Sequence, residues 1–365
     1  MKKLHVLATA LAMAGTSAVS AQTSVQIYGL IDTAVEHVTN VGAAGNSLTR
    51  MPNIGGGMFP SRLGFRGSED LGGGLNAIFT LENGFAPDSG ALNQGNRLFG
   101  RQAWVGFSGG WGAVTVGRNY SMLYLSFYDV DIIGPAQFSI GSLDTYPPNA
   151  RSDNSIAYKG TFGGTTLGAT YSLGRDASAA GGPSATNCGG ENAADPVACR
   201  NWSALARYDG ANWGVLAAYD RYHGGTGAAA AFSPTSSSQT DTRTHVAGFV
   251  KFGAVKVAGG WMHRNNEGSA LTPKSDLTYL GAAYNLTPAF VLEGQIGRLD
   301  FKDSANDTNI YLLRGVYNLS KRSAVYGMAG RVRNKSSAAV ALSAGTTVAA
   351  GGSQNGVIAG IKHSF

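Results

Sequence analysis

The sequence predicts an all-β chain folded as a sixteen-stranded antiparallel β-barrel that crosses a membrane. Three observations point there. Segments of about ten residues alternate apolar with polar or small residues and break at glycine-rich turns, the period-two pattern of strands with one face toward lipid and one toward water. Nothing after Gln22 approaches the run of about eighteen apolar residues that a helical span needs, so any crossing is made by strands. The 53 glycines, 15 Tyr, 15 Phe and 5 Trp, with only 14% charged residues, suit a barrel with aromatic girdles at both interfaces and small residues that keep the lumen open.

The chain begins with Lys2 and Lys3, an apolar run from Leu4 to Met13, and small residues up to Ala21. This reads as a secretory signal peptide over residues 1–21, the run being too short for a transmembrane anchor, with the barrel occupying 22–365. Without the two leader lysines the net charge falls from +6 to +4, too mild and diffuse for nucleic acid.

The first strand, Thr23 to Thr39, sets Val25, Ile27, Ile31 and Val35 opposite Gln26, Tyr28, Asp32 and Glu36. Pro60 to Ser68 and Gly74 to Phe85 form a hairpin that points Arg62, Arg66, Thr80 and Glu82 inward, because Arg or Lys on the lipid face costs ~2–4 kcal/mol at the midplane. In the next hairpin, Leu98 to Ser108 and Gly112 to Arg118, Arg101 shares a face with Ala103, Val105 and Phe107. Either a bulge intervenes or a neighbouring subunit covers that strand. Strands continue at Asn154 to Phe162, Thr165 to Leu173, Arg200 to Tyr208, Trp213 to Tyr222, Asp241 to Phe252, Ala254 to Asn265, Ser275 to Leu286, Ala289 to Phe301, Asn309 to Leu319, Lys321 to Lys335 (Arg331 and Arg333 inward) and Gln354 to Phe365. Short turns and long loops alternate, as when short turns face the periplasm.

One stretch drops the rhythm. Between Asn119 and Ser152 stands a long loop, rich in aromatic residues from Tyr120 to Tyr146. Unstructured stretches this long are rare in compact folds, and this one is too aromatic for a disordered linker. It is expected to fold into the barrel and narrow it. Cys188 and Cys199 lie in one polar loop of an exported chain, which favours a disulfide, stabilising by roughly 3 kcal/mol, over a metal site that no nearby histidine supports.

Four stretches carry a family resemblance: Ser24 to Asp32, Ser61 to Leu75 (Ser-Arg-Leu-Gly-Phe-Arg-Gly-Ser-Glu-Asp-Leu-Gly-Gly-Gly-Leu), Leu98 to Gly106, and the ending Gly360 to Phe365. With them the whole mature chain resembles a general, non-specific outer-membrane porin of the β-proteobacterial type. The resemblance implies a homotrimer in the outer membrane of a Gram-negative bacterium, in contact with lipid and lipopolysaccharide. It also implies a third loop folded into the pore and a terminal Phe365 read by the barrel-assembly machinery. It places Arg62, Arg101 and Arg151 on the basic side of the constriction, with Gln102 standing where a second basic residue could follow Arg101. Asp129, Asp131 and Glu82 are the candidates for the acidic side, each with the alternative of a solvated charge or a salt bridge holding the loop.

No catalytic constellation or metal spacing is found, and no cofactor or enzymatic activity is expected. The expected function is passive diffusion of small hydrophilic solutes and ions with a modest anion preference, charges at a narrow passage setting the selection. The alternatives are a substrate-specific uptake channel and a surface adhesin or structural barrel.

Overall fold

A computed structural model describes residues 24–52, 57–174, 188–226 and 234–365. The expected signal peptide lies outside these residues, as does much of the polar stretch before Cys188. The strands are β1 (Ser24–Val41), β2 (Asn46–Arg50), β3 (Arg62–Gly72), β4 (Leu75–Gly84), β5 (Gln102–Gly109), β6 (Gly112–Tyr120), β7 (Arg151–Phe162), β8 (Thr165–Ser172), β9 (Asn201–Asp209) and β10 (Trp213–His223). There follow β11 (Thr240–Phe252), β12 (Val255–Asn266), β13 (Lys274–Asn285), β14 (Phe290–Phe301), β15 (Asp307–Asn318), β16 (Ser323–Asn334) and β17 (Ser353–Ser364). Each pairs antiparallel with the next around a ring, β1 pairs with β3, and β17 closes onto β1 from Leu30↔Ser364 to Val38↔Gly356. Sixteen strands make this ring. The short β2, which the sequence pattern missed, is additional: it folds back on the outer end of β1 between Glu36↔Arg50 and Val41↔Asn46.

Closure satisfies the backbone where lipid offers no hydrogen-bond partner. Phe365 completes it, exchanging both backbone hydrogen bonds with Gly29 at 3.0 Å. Along the strands the two faces separate as expected: Val25, Ile27, Ile31, Val35, Val215, Val246, Leu280 and Ile361 are exposed on the outer face, while Asp32, Glu36, Asp220, Arg243 and Gln295 are buried on the inner one. Exposed Trp111, Phe162, Tyr208, Trp213, Phe252, Tyr284 and Tyr317 form an aromatic girdle beside the short turns. Tyr171, Trp202, Trp261 and Tyr311 form a second toward the long loops.

Two expectations about parity change. Arg331 and Arg333 lie on the outer face with Val325, because the inner positions of β16 are taken by buried Tyr326, Met328 and Val332. Both arginines sit at the long-loop end of the strand, where outward charge costs only ~0–1 kcal/mol. Arg101 escapes the parity of its strand by the bulge alternative. β5 begins only at Gln102, which pairs with Glu82, yet the Arg101 N–H also donates to the Glu82 carbonyl at 3.1 Å, setting two residues against one.

Cys188 and Cys199 are joined in a disulfide, with Cα atoms 5.2 Å apart. The Cys199 N–H donates to the Gly224 carbonyl at 3.0 Å and Cys188 Sγ lies 3.9 Å from the carbonyl of His223, the last residue of β10, so the bridged loop meets the wall at the outer end of a strand. Reduction is therefore expected to leave the thermal unfolding of the barrel unchanged while raising protease sensitivity after β8. A large fall in barrel melting temperature on adding reductant would show that the bridge supports the wall itself.

Candidate channel lining and the segment between β6 and β7

The segment from residue 121 to 150 has local structure that the sequence pattern did not show. Ser121 caps a short helix, Met122–Ser126, its Oγ accepting from the Tyr124 N–H at 3.1 Å, and 3-10 turns follow at Ile140–Ser142 and Pro147–Asn149. Leu123, Val130, Ile133 and Phe138 are completely buried. Each such side chain contributes ~1.5–3 kcal/mol on leaving water. Their partners are inward-facing apolar residues of the later strands, among them Leu205, Leu216, Leu277, Ile310, Leu312 and Val332. Phe138 seats where Gly330 and Gly356 leave room: a Cβ at Gly356 would stand 2.4 Å from its ring.

Polar anchors run round the same arc. The Met122 N–H donates to Ser203 Oγ at 2.8 Å on β9, and Tyr146 Oη donates to Asp220 at 2.7 Å on β10. On β11, Arg243 Nε donates to Asp144 at 2.8 Å, and Ser126 Oγ lies 2.7 Å from His245 Nδ1, whose ring stacks on Phe127 with centroids 4.1 Å apart. The Ile133 N–H donates to Gln295 Oε1 on β14 at 3.1 Å, and Arg314 Nη1 on β15 donates to the Ile133 carbonyl at 2.7 Å. β14 stands eight strands from β6 in either direction round the ring. A segment that leaves β6 thus hydrogen-bonds mid-strand residues of β14 and β15, half-way round the ring.

The inner face of the opposite arc is polar. Tyr28 Oη donates to Glu82 Oε2 at 2.9 Å, while Arg101 Nε donates to Glu82 Oε1 at 2.7 Å and its Nη2 to Tyr120 Oη at 3.0 Å. The Arg151 guanidinium lies over the rings of Tyr120 and Tyr124, 4.9 and 5.6 Å from their centroids, and these two rings stack at 4.1 Å. Glu82, Arg101 and Arg151 thus come together, but in a buried cluster, Arg101 being 1% and Arg151 3% exposed. Arg62 instead lines an open cavity with Phe59, Tyr128, Asp131, Lys256, Glu293 and Arg314.

Asp131 and Asp129 part company. Asp131 lines that cavity and accepts from the Gly134 N–H at 3.0 Å; burial pushes its carboxyl up to about 6, against the pull of that N–H and of Arg314. Asp129 lies nearer the short turns, 2.6 Å from Arg207 and 3.7 Å from Lys256. Partial burial raises its carboxyl, but the Arg207 hydrogen bond and the nearby cations outweigh this and hold it below the usual range. Sequence reasoning missed Phe59, Lys256, Glu293 and Arg314. Phe59 is placed by the carboxylate of Asp32, which accepts from the N–H groups of Gly57, Met58 and Phe59 at 3.0 to 3.2 Å and from Tyr326 Oη.

A closed ring of sixteen strands, apolar outside and charged within, defines a transmembrane β-barrel of the outer-membrane class. The chain belongs to the Gram-negative porin family, which matches residues 8–337. It is 30% identical over the whole of both chains to outer membrane porin protein 32 of Delftia acidovorans. It is also 36% identical over 187 residues to an outer membrane porin of Bordetella pertussis, an alignment covering 47% of this chain and about half (48%) of that relative's length. Among solved structures, the anion-selective porin from Comamonas acidovorans superposes with a TM-score of 0.76 at 26% identity, over 94% of this chain and 100% of that one. The protein is accordingly one of the Gram-negative outer membrane.

The Glu82–Arg101 pair gives a stability test. Arg101→Ala leaves a buried carboxylate short of its counter-charge and is expected to destabilise the folded barrel by ~3–5 kcal/mol, whereas Arg101→Met with Glu82→Leu recovers most of the loss. Urea midpoints in detergent compare the three proteins, and equal midpoints for wild type and Arg101→Ala would contradict a supporting role for the pair.

Proposed function

We propose that the protein forms a water-filled channel for passive diffusion of small hydrophilic solutes and ions, that residues 121–150 form its constriction, and that the constriction modestly prefers anions. The observation that carries this reading is the set of anchors from β9 to β15 made by a segment that departs from β6. Such a chord leaves a passage only between the segment and the polar arc of β1 and β3–β7. Arg62 is the basic residue on that arc side of the passage. Arg101 and Arg151 stand behind it as a supporting layer, Glu82 balancing the former.

The anion preference rests on the charges that line the cavity. Arg62, Lys256 and Arg314 face Asp131 and Glu293, and Glu293 is held 2.5 Å from Arg314. A low-dielectric wall focuses the remaining positive field into the passage. The similarity to a solved anion-selective porin supports the same sign. In this reading the channel works as a homotrimer, needs no cofactor, catalyses nothing, and is recognised during assembly through Phe365.

Zero-current potentials across a salt gradient test the assignment. Wild type is expected to favour chloride over potassium, and Arg62→Ala to lose more of that preference than Arg151→Ala; a cation-selective wild type would overturn the reading. Asp131 adds a pH dependence. As pH falls from 7.5 to 5 its carboxyl passes through about 6 and loses its negative charge, so chloride preference should rise, and Asp131→Asn should flatten that rise. An identical pH response in both proteins would remove Asp131 from the lining.

A further inference from the structure

Between the constriction and the short turns stands a cluster of cations that barrel stability does not explain. Lys251 and Lys256 are direct cross-strand partners on the inner faces of β11 and β12, an arrangement of like charges that is unfavourable on its own. Arg207 of β9 joins them across β10. Gly214 makes this possible, since a Cβ there would stand 2.5 Å from the Phe249 ring and 2.7 Å from Asp209 Oδ1. All three cations gather round Phe249: Lys256 Nζ lies 4.9 Å, Lys251 Nζ 5.4 Å and Arg207 Cζ 5.7 Å from the ring centroid. Lys251 makes no ion pair among the described residues.

Two carboxylates already sit on Arg207, and one of them also reaches a lysine. Asp129 reaches down from the segment between β6 and β7, placing Oδ2 2.6 Å from Arg207 Nη1 and Oδ1 3.7 Å from Lys256 Nζ. Its side chain remains 45% exposed, open to the water of the passage. Asp209 takes the other side of Arg207 at 2.6 Å, leaving the lysines and the apolar face of Phe249 on the open side.

We propose that Arg207, Lys251 and Lys256, grouped round Phe249, form a carboxylate-binding site on the inner side of the constriction, and that Asp129 is its built-in competitor. A carboxylate solute passing Arg62 meets Lys256, which faces both the cavity and this cluster. It then exchanges with the Asp129 carboxylate at the cations and leaves toward the short turns. Asp129 keeps the site from holding the solute for long. This assignment rests on the channel reading given above. It also gives Asp129 a different part from that of the constriction's acidic wall.

Single-channel conductance in potassium acetate tests it, with the zero-current potential measured in parallel. Asp129→Asn should raise the acetate-over-potassium permeability ratio ~twofold or more, the order expected for one partly screened charge. It should also make acetate conductance saturate at a lower concentration than in wild type. Adding Lys251→Gln and Lys256→Gln to that variant should abolish the saturation. A change of field without a site would move the permeability ratio and leave conductance proportional to concentration, which overturns the proposal. So would an Asp129→Asn channel indistinguishable from wild type while Arg62→Ala still shifts chloride selectivity. If wild type and both variants conduct without ion preference, the anion preference proposed above has failed, and if folded wild-type protein does not conduct at all, the channel reading itself has failed.

Discussion

The constraint on which the structure depends is that a strand exposed to lipid cannot leave backbone groups unpaired. Hydrocarbon offers no water to satisfy an edge, so the sheet has to close, here where β17 meets β1 and Phe365 exchanges hydrogen bonds with Gly29. Closure then dictates the rest of the chemistry. With one face committed to lipid, every charge that is to act within the membrane has to occupy the alternate positions, and those positions line a single enclosed space.

Residues of that inner face, from β9 to β15, hydrogen-bond the segment between β6 and β7. Its apolar side packs on the inner faces of the later strands, with Leu123, Val130, Ile133 and Phe138 fully buried in one hydrophobic cluster with them. The inner face of β1 and β4–β6 carries polar groups instead. Arg62 lines the open cavity, whereas Glu82 is engaged by Arg101 and Tyr28, and Arg151 is spread over Tyr120 and Tyr124. In the proposed channel the Glu82–Arg101 pair and the ring-stacked Arg151 stand behind a less encumbered arginine, which leaves the positive field at the passage to Arg62.

Much of this was legible in the sequence, for reasons that also explain what was not. Strands wetted on one side announce themselves by alternation, as β1 does with Val25, Ile27, Ile31 and Val35 against Asp32 and Glu36. Alternation fails where the inner face is itself apolar. β16 buries Tyr326, Met328 and Val332 inside, and β15 buries Ile310, Leu312 and Val316 around Arg314, so polarity no longer labels the two faces there. Arg331 and Arg333 were consequently read as inward, and Arg314 was passed over. The pairing of residues distant in the chain, such as Asp129 with Arg207 or Asp32 with the N–H groups of residues 57–59, leaves no local signal at all.

The central claim is that residues 121–150 cross the lumen and set the passage, and trimming that segment tests it most directly. A variant with residues 127–144 replaced by a short glycine–serine linker, confirmed as a folded barrel by its resistance to unfolding in detergent, would be compared with wild type for single-channel conductance and for the largest sugar that permeates liposomes. If the segment is the constriction, conductance rises several-fold and larger sugars enter, because the wall alone leaves a wide aqueous channel. Unchanged conductance and an unchanged size limit in the trimmed barrel would contradict it and place the narrowest point elsewhere.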